Sequence, residues 1–162
     1  MSTRGCVAVG IPMKWMGVFN HCDSHPFRLG KEVWHYASDS RNLALLCEEI
    51  LRAGRWENFV GNGDGLLEPD IVTSDNPDPL FIEWVYVIDP DRSMLHVLCN
   101  RIVADDWSKP RITPPAMRPG GIVDYGHCAC RHILAASVDL GGPGPDWVAI
   151  SHEKYDGEGE EG

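Results

Sequence analysis

The sequence predicts an α+β fold: an antiparallel sheet built from hairpins, with two to three helices packed on it. Three observations predict it. Two pairs of apolar runs are each broken by a short turn, residues 6–9 and 14–19 around Gly10-Ile11-Pro12-Met13, and residues 81–88 and 94–99 around Asp89-Pro90-Asp91-Arg92-Ser93. Leu43, Leu46, Cys47, Ile50 and Leu51 recur at helical spacing ahead of Gly54. A chain of 162 residues is long enough for one core that buries roughly 70% of its unfolded surface without staples.

The elements follow in order. Cys6-Val7-Ala8-Val9 reads as a buried strand, and Lys14-Trp15-Met16-Gly17-Val18-Phe19 returns as its hairpin partner. A polar loop follows and ends at Gly30; a helix through Val33, Trp34 and Ala37 comes next. Ser38 or Ser40 caps the second helix, whose Leu and Cys stripe is core and whose stop is Gly54. Residues 61–79, rich in Gly, Pro, Asp and Asn, read as loop. Its Gly61-Asn62-Gly63-Asp64-Gly65 lacks the Lys of a P-loop and the spacing of a dinucleotide fingerprint, so it is punctuation. After the second hairpin, Pro110, Pro114, Pro115 and Pro119 mark an excursion too long for a simple connector. Residues 132–138 have helical composition and stop at Gly141-Gly142, and Trp147-Val148-Ala149-Ile150 make a last strand. The domain is therefore residues 1–155, with 156–162 an acidic disordered tail.

The charge balance narrows the function. Net charge is −10, yet Asp156, Glu158, Glu160 and Glu161 crowd the tail, leaving a mildly acidic body with no basic patch for nucleic acid or anionic membrane. No stretch approaches the ~20 apolar residues of a spanning helix, and the N-terminus lacks a signal peptide's apolar core. A cytoplasmic location is expected. The six cysteines then read as reduced thiols among apolar neighbours rather than as a disulfide framework.

The densest chemistry lies in Asn20-His21-Cys22-Asp23-Ser24-His25-Pro26-Phe27-Arg28-Leu29-Gly30, directly after the first hairpin. Together with Ser2-Thr3-Arg4-Gly5 and Glu83-Trp84-x-Tyr86-Val87-Ile88-Asp89, this loop resembles a group of short uncharacterised proteins of bacteria, their phages and some fungi. They open with Thr-Arg-Gly and continue to an Asn-His-x-Asp-Ser-Tyr-Pro loop; the likeness covers roughly the first 100 residues. This chain has His25 where an aromatic residue is usual, and the resemblance implies no particular activity.

The residues themselves suggest a polar pocket. His21 suits acid–base work, Asp23 orients it, Arg4 clamps an anion and Asn20 hydrogen-bonds the substrate, with Glu83, Ser24 and His25 as further binding groups. The reaction expected is hydrolysis or group transfer on a small polar substrate. The bland alternative is an Arg4–Asp23 ion pair with Asn20 and Ser24 capping a turn. A sharper version makes Ser2 an N-terminal nucleophile after removal of Met1.

Two further constellations stand apart. If a helix starts near Cys128, its thiol is activated by the helix dipole and His132 lies one turn on, a Cys–His nucleophile pair. His21, His25, Cys128, Cys130 and His132 are ligand types for zinc, although Cys-x-Cys is tighter than the usual zinc spacing and no cofactor is otherwise expected. The competing class is a protein-interaction module, aimed at a host or partner protein. Its features are six tryptophans and the Trp- and Pro-rich second half, with Trp107 and residues 110–119 as the contact.

Overall fold

The structure, a computed structural model, describes residues 3–61 and 66–160. It is α+β. Eight strands form one sheet in the order β3-β2-β1-β4-β5-β8-β7-β6. The first hairpin is β1 (Gly5–Ile11) with β2 (Lys14–Asn20), and the second is β4 (Trp84–Asp89) with β5 (Met94–Asp105), both as the apolar runs require. The two hairpins join through β1 and β4, which run parallel, so the sheet is mixed and not the purely antiparallel sheet expected. Parallel strands need a long crossover. Here it runs from the end of β1 to the start of β4, and it carries β2 and three helices.

Those helices are α1 (Lys31–Ser38), α2 (Leu43–Ala53) and α3 (Trp56–Val60). A single π-helical turn, Pro26–Gly30, leads into α1. With α4 (Trp147–Glu160) the described residues hold four α-helices, against the two to three expected. Helix α2 matches its sequence signal, and Gly54 ends it at φ 77. Its cap is Asn42, whose side chain accepts the Leu45 N–H at 3.1 Å, in place of Ser38 or Ser40.

Alternation along the strands divides the core. Val7, Val18, Trp84, Tyr86, Ile88, Leu95, Val97 and Cys99 face the helices and pack with Val33, Ile50, Trp56, Trp147 and Ile150. Cys6, Ala8, Val85, Val87 and Leu98 face the other way, under Trp15, Phe19, Val72 and Ile82. Strand β4 is buried on both faces along its length, which suits its unbroken apolar run. Its one charged member, Asp89, is 1% exposed.

The structure departs from the sequence reading in further places. Residues 71–73, inside the expected loop, form β3 (Ile71–Thr73) beside β2. Residues 132–138 are strand, part of β8 (Cys128–Asp139), because the 12-residue β5 offers an edge that tertiary pairing fills despite helical composition. Residues 147–150 are the first turn of α4. Asp146 accepts the Ala149 N–H at 3.1 Å, and Trp147 and Ile150, three apart, share the buried face. The proline-rich excursion contains β6 (Ala116–Arg118) and β7 (Ile122–Asp124), a small hairpin at the sheet's end. Helix α4 enters the acidic segment 156–162 as far as Glu160. No helix among the described residues is long and apolar enough to cross a membrane.

Candidate functional site

The polar loop sits where β2 ends, as expected, and most of its buried polar groups bond to one another. Asn20 closes β2 and is 7% exposed; its Nδ2 donates to Ser24 Oγ and to the Cys22 carbonyl, both at 2.8 Å. Ser24 is fully buried. Its N–H donates to the Thr3 carbonyl at 3.2 Å and its own carbonyl accepts the Tyr86 hydroxyl at 2.5 Å. Thr3 Oγ1 and His25 Nε2 lie 2.5 Å apart, and the His25 ring stacks on Phe27. Gly5 leaves the space that Ser24 fills: a Cβ on Gly5 would come within 2.6 Å of Ser24 Cβ. The Thr-Arg-Gly opening and the loop are thus two halves of one hydrogen-bonded knot.

His21, Cys22 and Asp23 form its exposed rim, with Asp23 at φ 55. The His21 N–H donates to Glu57 Oε1 at 2.6 Å, and Glu57 pairs with Arg55 at 3.1 Å. Among the described residues no ion pair joins Arg4 to Asp23 and no hydrogen bond joins the His21 and Asp23 side chains. The Arg4 guanidinium instead lies 4.3 Å from the centre of the Phe81 ring. Phe81 stacks on Phe19 at 5.8 Å, and Arg55 covers Phe19 at 5.1 Å. Each cation gains from a π face in this four-member pile. Glu83 donates its backbone N–H to the Arg4 carbonyl at 3.0 Å, tying β4 to the same corner. Ser2 lies outside the described residues, as do Asn62, Gly63, Asp64 and Gly65.

The Cys128–His132 pair fails on geometry. Both lie on strand β8, where four residues span about 13 Å, and no helix dipole addresses Cys128. His132 is occupied elsewhere: its Nε2–H donates to the Ile82 carbonyl at 2.7 Å. Burial pushes its pKa down to about 4, against weaker opposing effects of that hydrogen bond and of Asp78. The zinc ligand types are dispersed, with His25 on Thr3, His132 on Ile82 and only Cys128 and Cys130 adjacent.

A second polar constellation escaped the sequence reading. His96 Nε2 lies 3.1 Å from Asp89 Oδ2, and His96 Nδ1 lies 2.8 Å from Ser137 Oγ. The sheet sets this up. His96 is directly opposite Ser137 across β5 and β8, and Asp89 is its diagonal neighbour on β4, all three on the face away from the helices. Asp89 accepts the Arg92 N–H and its guanidinium, each at 3.2 Å. Burial alone would raise the Asp89 pKa, but the hydrogen bonds from His96 and Arg92 outweigh it and hold the carboxyl below the usual range. An ionised Asp89 only accepts, so His96 Nε2–H donates to it, which in the neutral ring leaves Nδ1 to accept the Ser137 hydroxyl. The chain runs from a buried carboxylate through a nearly buried imidazole (7% exposed) to an exposed serine.

The available signal was a polar residue, His96, inside an otherwise apolar strand. Ser137 carried none while its segment read as helix. No family model, curated protein or solved structure matches the chain.

Proposed function

We propose that the protein hydrolyses or transfers an acyl group of a small polar ester or thioester, with Ser137 as nucleophile, His96 as base and Asp89 as its orienting partner. The observation that carries this reading is the continuous Asp89–His96–Ser137 hydrogen-bonded chain ending at an exposed hydroxyl. An alcohol is a weak nucleophile until a neighbouring base takes its proton. Nδ1 of His96 is in hydrogen-bond reach of that proton, and Asp89, anchored by Arg92, steadies the imidazolium that forms. In the first step Ser137 Oγ bonds to the acyl carbon, its proton passes to Nδ1, and the leaving oxygen or sulfur departs with that proton. Water, deprotonated by the same nitrogen, then releases the acid and restores the serine.

Fluorophosphonate labelling followed by peptide mass spectrometry tests this. Label on Ser137, absent from Ser137→Ala and reduced in Asp89→Asn, is the expected result. No label, or equal label in Ser137→Ala, refutes it.

A second reading is partner-protein binding through the Trp- and Pro-rich second half. Ile102, Val103, Trp107, Ile112 and Met117, between 37% and 63% exposed, favour it. On this reading a Trp107→Ala, Met117→Ala variant loses a partner that Ser137→Ala retains.

A further inference from the structure

Cys128 and Cys130 begin β8 with their sulfurs 4.0 Å apart. Alternate strand residues share a face, so Ala129 points away and the two thiols point together. Val123, Tyr125 and Leu80 pack around them, and the cysteines are 2% and 1% exposed. A cavity of about 230 Å³ adjoins this end of β8, lined by Cys128 and Ala129 with Ala104, Asp105, Asp106, Lys109 and Asp124.

We propose that Cys128 and Cys130 bind one soft monovalent cation of the Cu(I) class as a dithiolate.

The sulfur spacing suits a shared ion. Metal–thiolate bonds of about 2.3 Å put two sulfurs roughly 3.8 Å apart at a tetrahedral angle and 4.6 Å apart when opposed. A two-coordinate ion takes the opposed arrangement, so the sulfurs open by roughly 0.6 Å from the observed 4.0 Å to close on it. Thiolate donors select Cu(I) and zinc among the common metals. Zinc asks for four ligands, and among the described residues no cluster of three or more His, Cys, Asp or Glu stands ready to hold a metal. A two-coordinate soft ion needs no more than the pair. The apolar and phenolic wall disfavours hard, strongly hydrated cations, and the carboxylates of the adjoining cavity raise the local cation concentration.

Charge and protons balance without a redox step. Two S–H bonds break, two sulfur–metal bonds form and two protons leave to solvent. The resulting complex carries one negative charge, beside Lys109 in the cavity wall and Arg111, whose guanidinium lies 5.8 Å from the Tyr125 ring centre.

The test uses the full reduced chain with exposed Cys22 replaced by serine, titrated anaerobically with Cu(I) against a colorimetric Cu(I) chelator. One equivalent binds. Cys128→Ala with Cys130→Ala abolishes that equivalent, and the more conservative Cys128→Ser weakens it at least a hundredfold. X-ray absorption of the loaded parent chain reads two sulfur neighbours, a measurement independent of how the variants fold. Equal affinity in parent and double variant, or a sulfur count other than two, overturns the proposal. None of these outcomes bears on fluorophosphonate labelling at Ser137.

Discussion

Gly5→Ala distinguishes a structural knot from a tolerant surface loop. The backbone of Gly5 lies outside the left-handed region, so alanine is conformationally acceptable there. On chain entropy alone the change would stabilise by about 0.4–1 kcal/mol. Packing says the opposite. The new Cβ would lie 2.6 Å from Ser24 Cβ, 2.8 Å from Ser24 Oγ and 3.2 Å from the Trp84 carbonyl oxygen. Ordinary contact is about 3.5–4.0 Å, so Ser24 must retreat by roughly 1 Å. It cannot do so freely, because Asn20, Thr3 and Tyr86 hold it by hydrogen bonds of 2.8, 3.2 and 2.5 Å. Overpacking costs about 1–3 kcal/mol and one broken buried hydrogen bond a further 1–3, so the variant loses roughly 2–5 kcal/mol. For a chain of this size the melting temperature then falls on the order of 10 °C. Circular dichroism melts of wild type, Gly5→Ala, Ser24→Gly and the double variant form a cycle. Removing the serine side chain relieves the clash, so the double variant melts well above the sum of the single losses. An unchanged or higher midpoint in Gly5→Ala, or strict additivity, refutes the reasoning.

Two pH-dependent outcomes follow from the buried polar groups. His132 is neutral in the fold with its pKa near 4 against an ordinary 6.5, so its stability contribution is complete above pH 6.5 and is lost as pH falls to 4. That loss reaches about 3 kcal/mol. His132→Gln, whose amide N–H replaces the Nε2–H donor to Ile82, flattens the denaturant-midpoint profile in that window, and a profile parallel to wild type contradicts the assignment. Asp89 is shifted the other way, so its contribution is present above pH 4 and disappears as pH falls through its lowered folded value. Asp89→Asn costs about 2 kcal/mol at pH 7 in urea unfolding and progressively less below pH 4; a gap that widens in acid rules the ion pair out.

Much of the frame was legible because it is local. Both hairpins announce themselves by alternation and turn chemistry, and α2 by spacing and Gly54. Asp146 before Trp147 was a readable cap for α4, missed because a four-residue apolar run has no period of its own. The location of the polar loop at the end of β2 was also readable, as was its density of polar groups. What each group does there was not. Asn20 and Ser24 meet in the interior only because β1, β2 and β4 bring Thr3, Gly5 and Tyr86 against the loop.

The amino-acid sequence by itself determined the hairpins, the main helix and the place of the polar loop, since turn residues and periodicity act over a few neighbours. Tertiary structure alone decided that β1 and β4 pair in parallel and that residues 128–139 become a strand. It also decided that Asp89, His96 and Ser137 form one hydrogen-bonded chain. The reason is physical: an open strand edge outweighs weak local propensity. A side chain separated by 41 residues from its partner is positioned by cross-strand register, which no local pattern encodes.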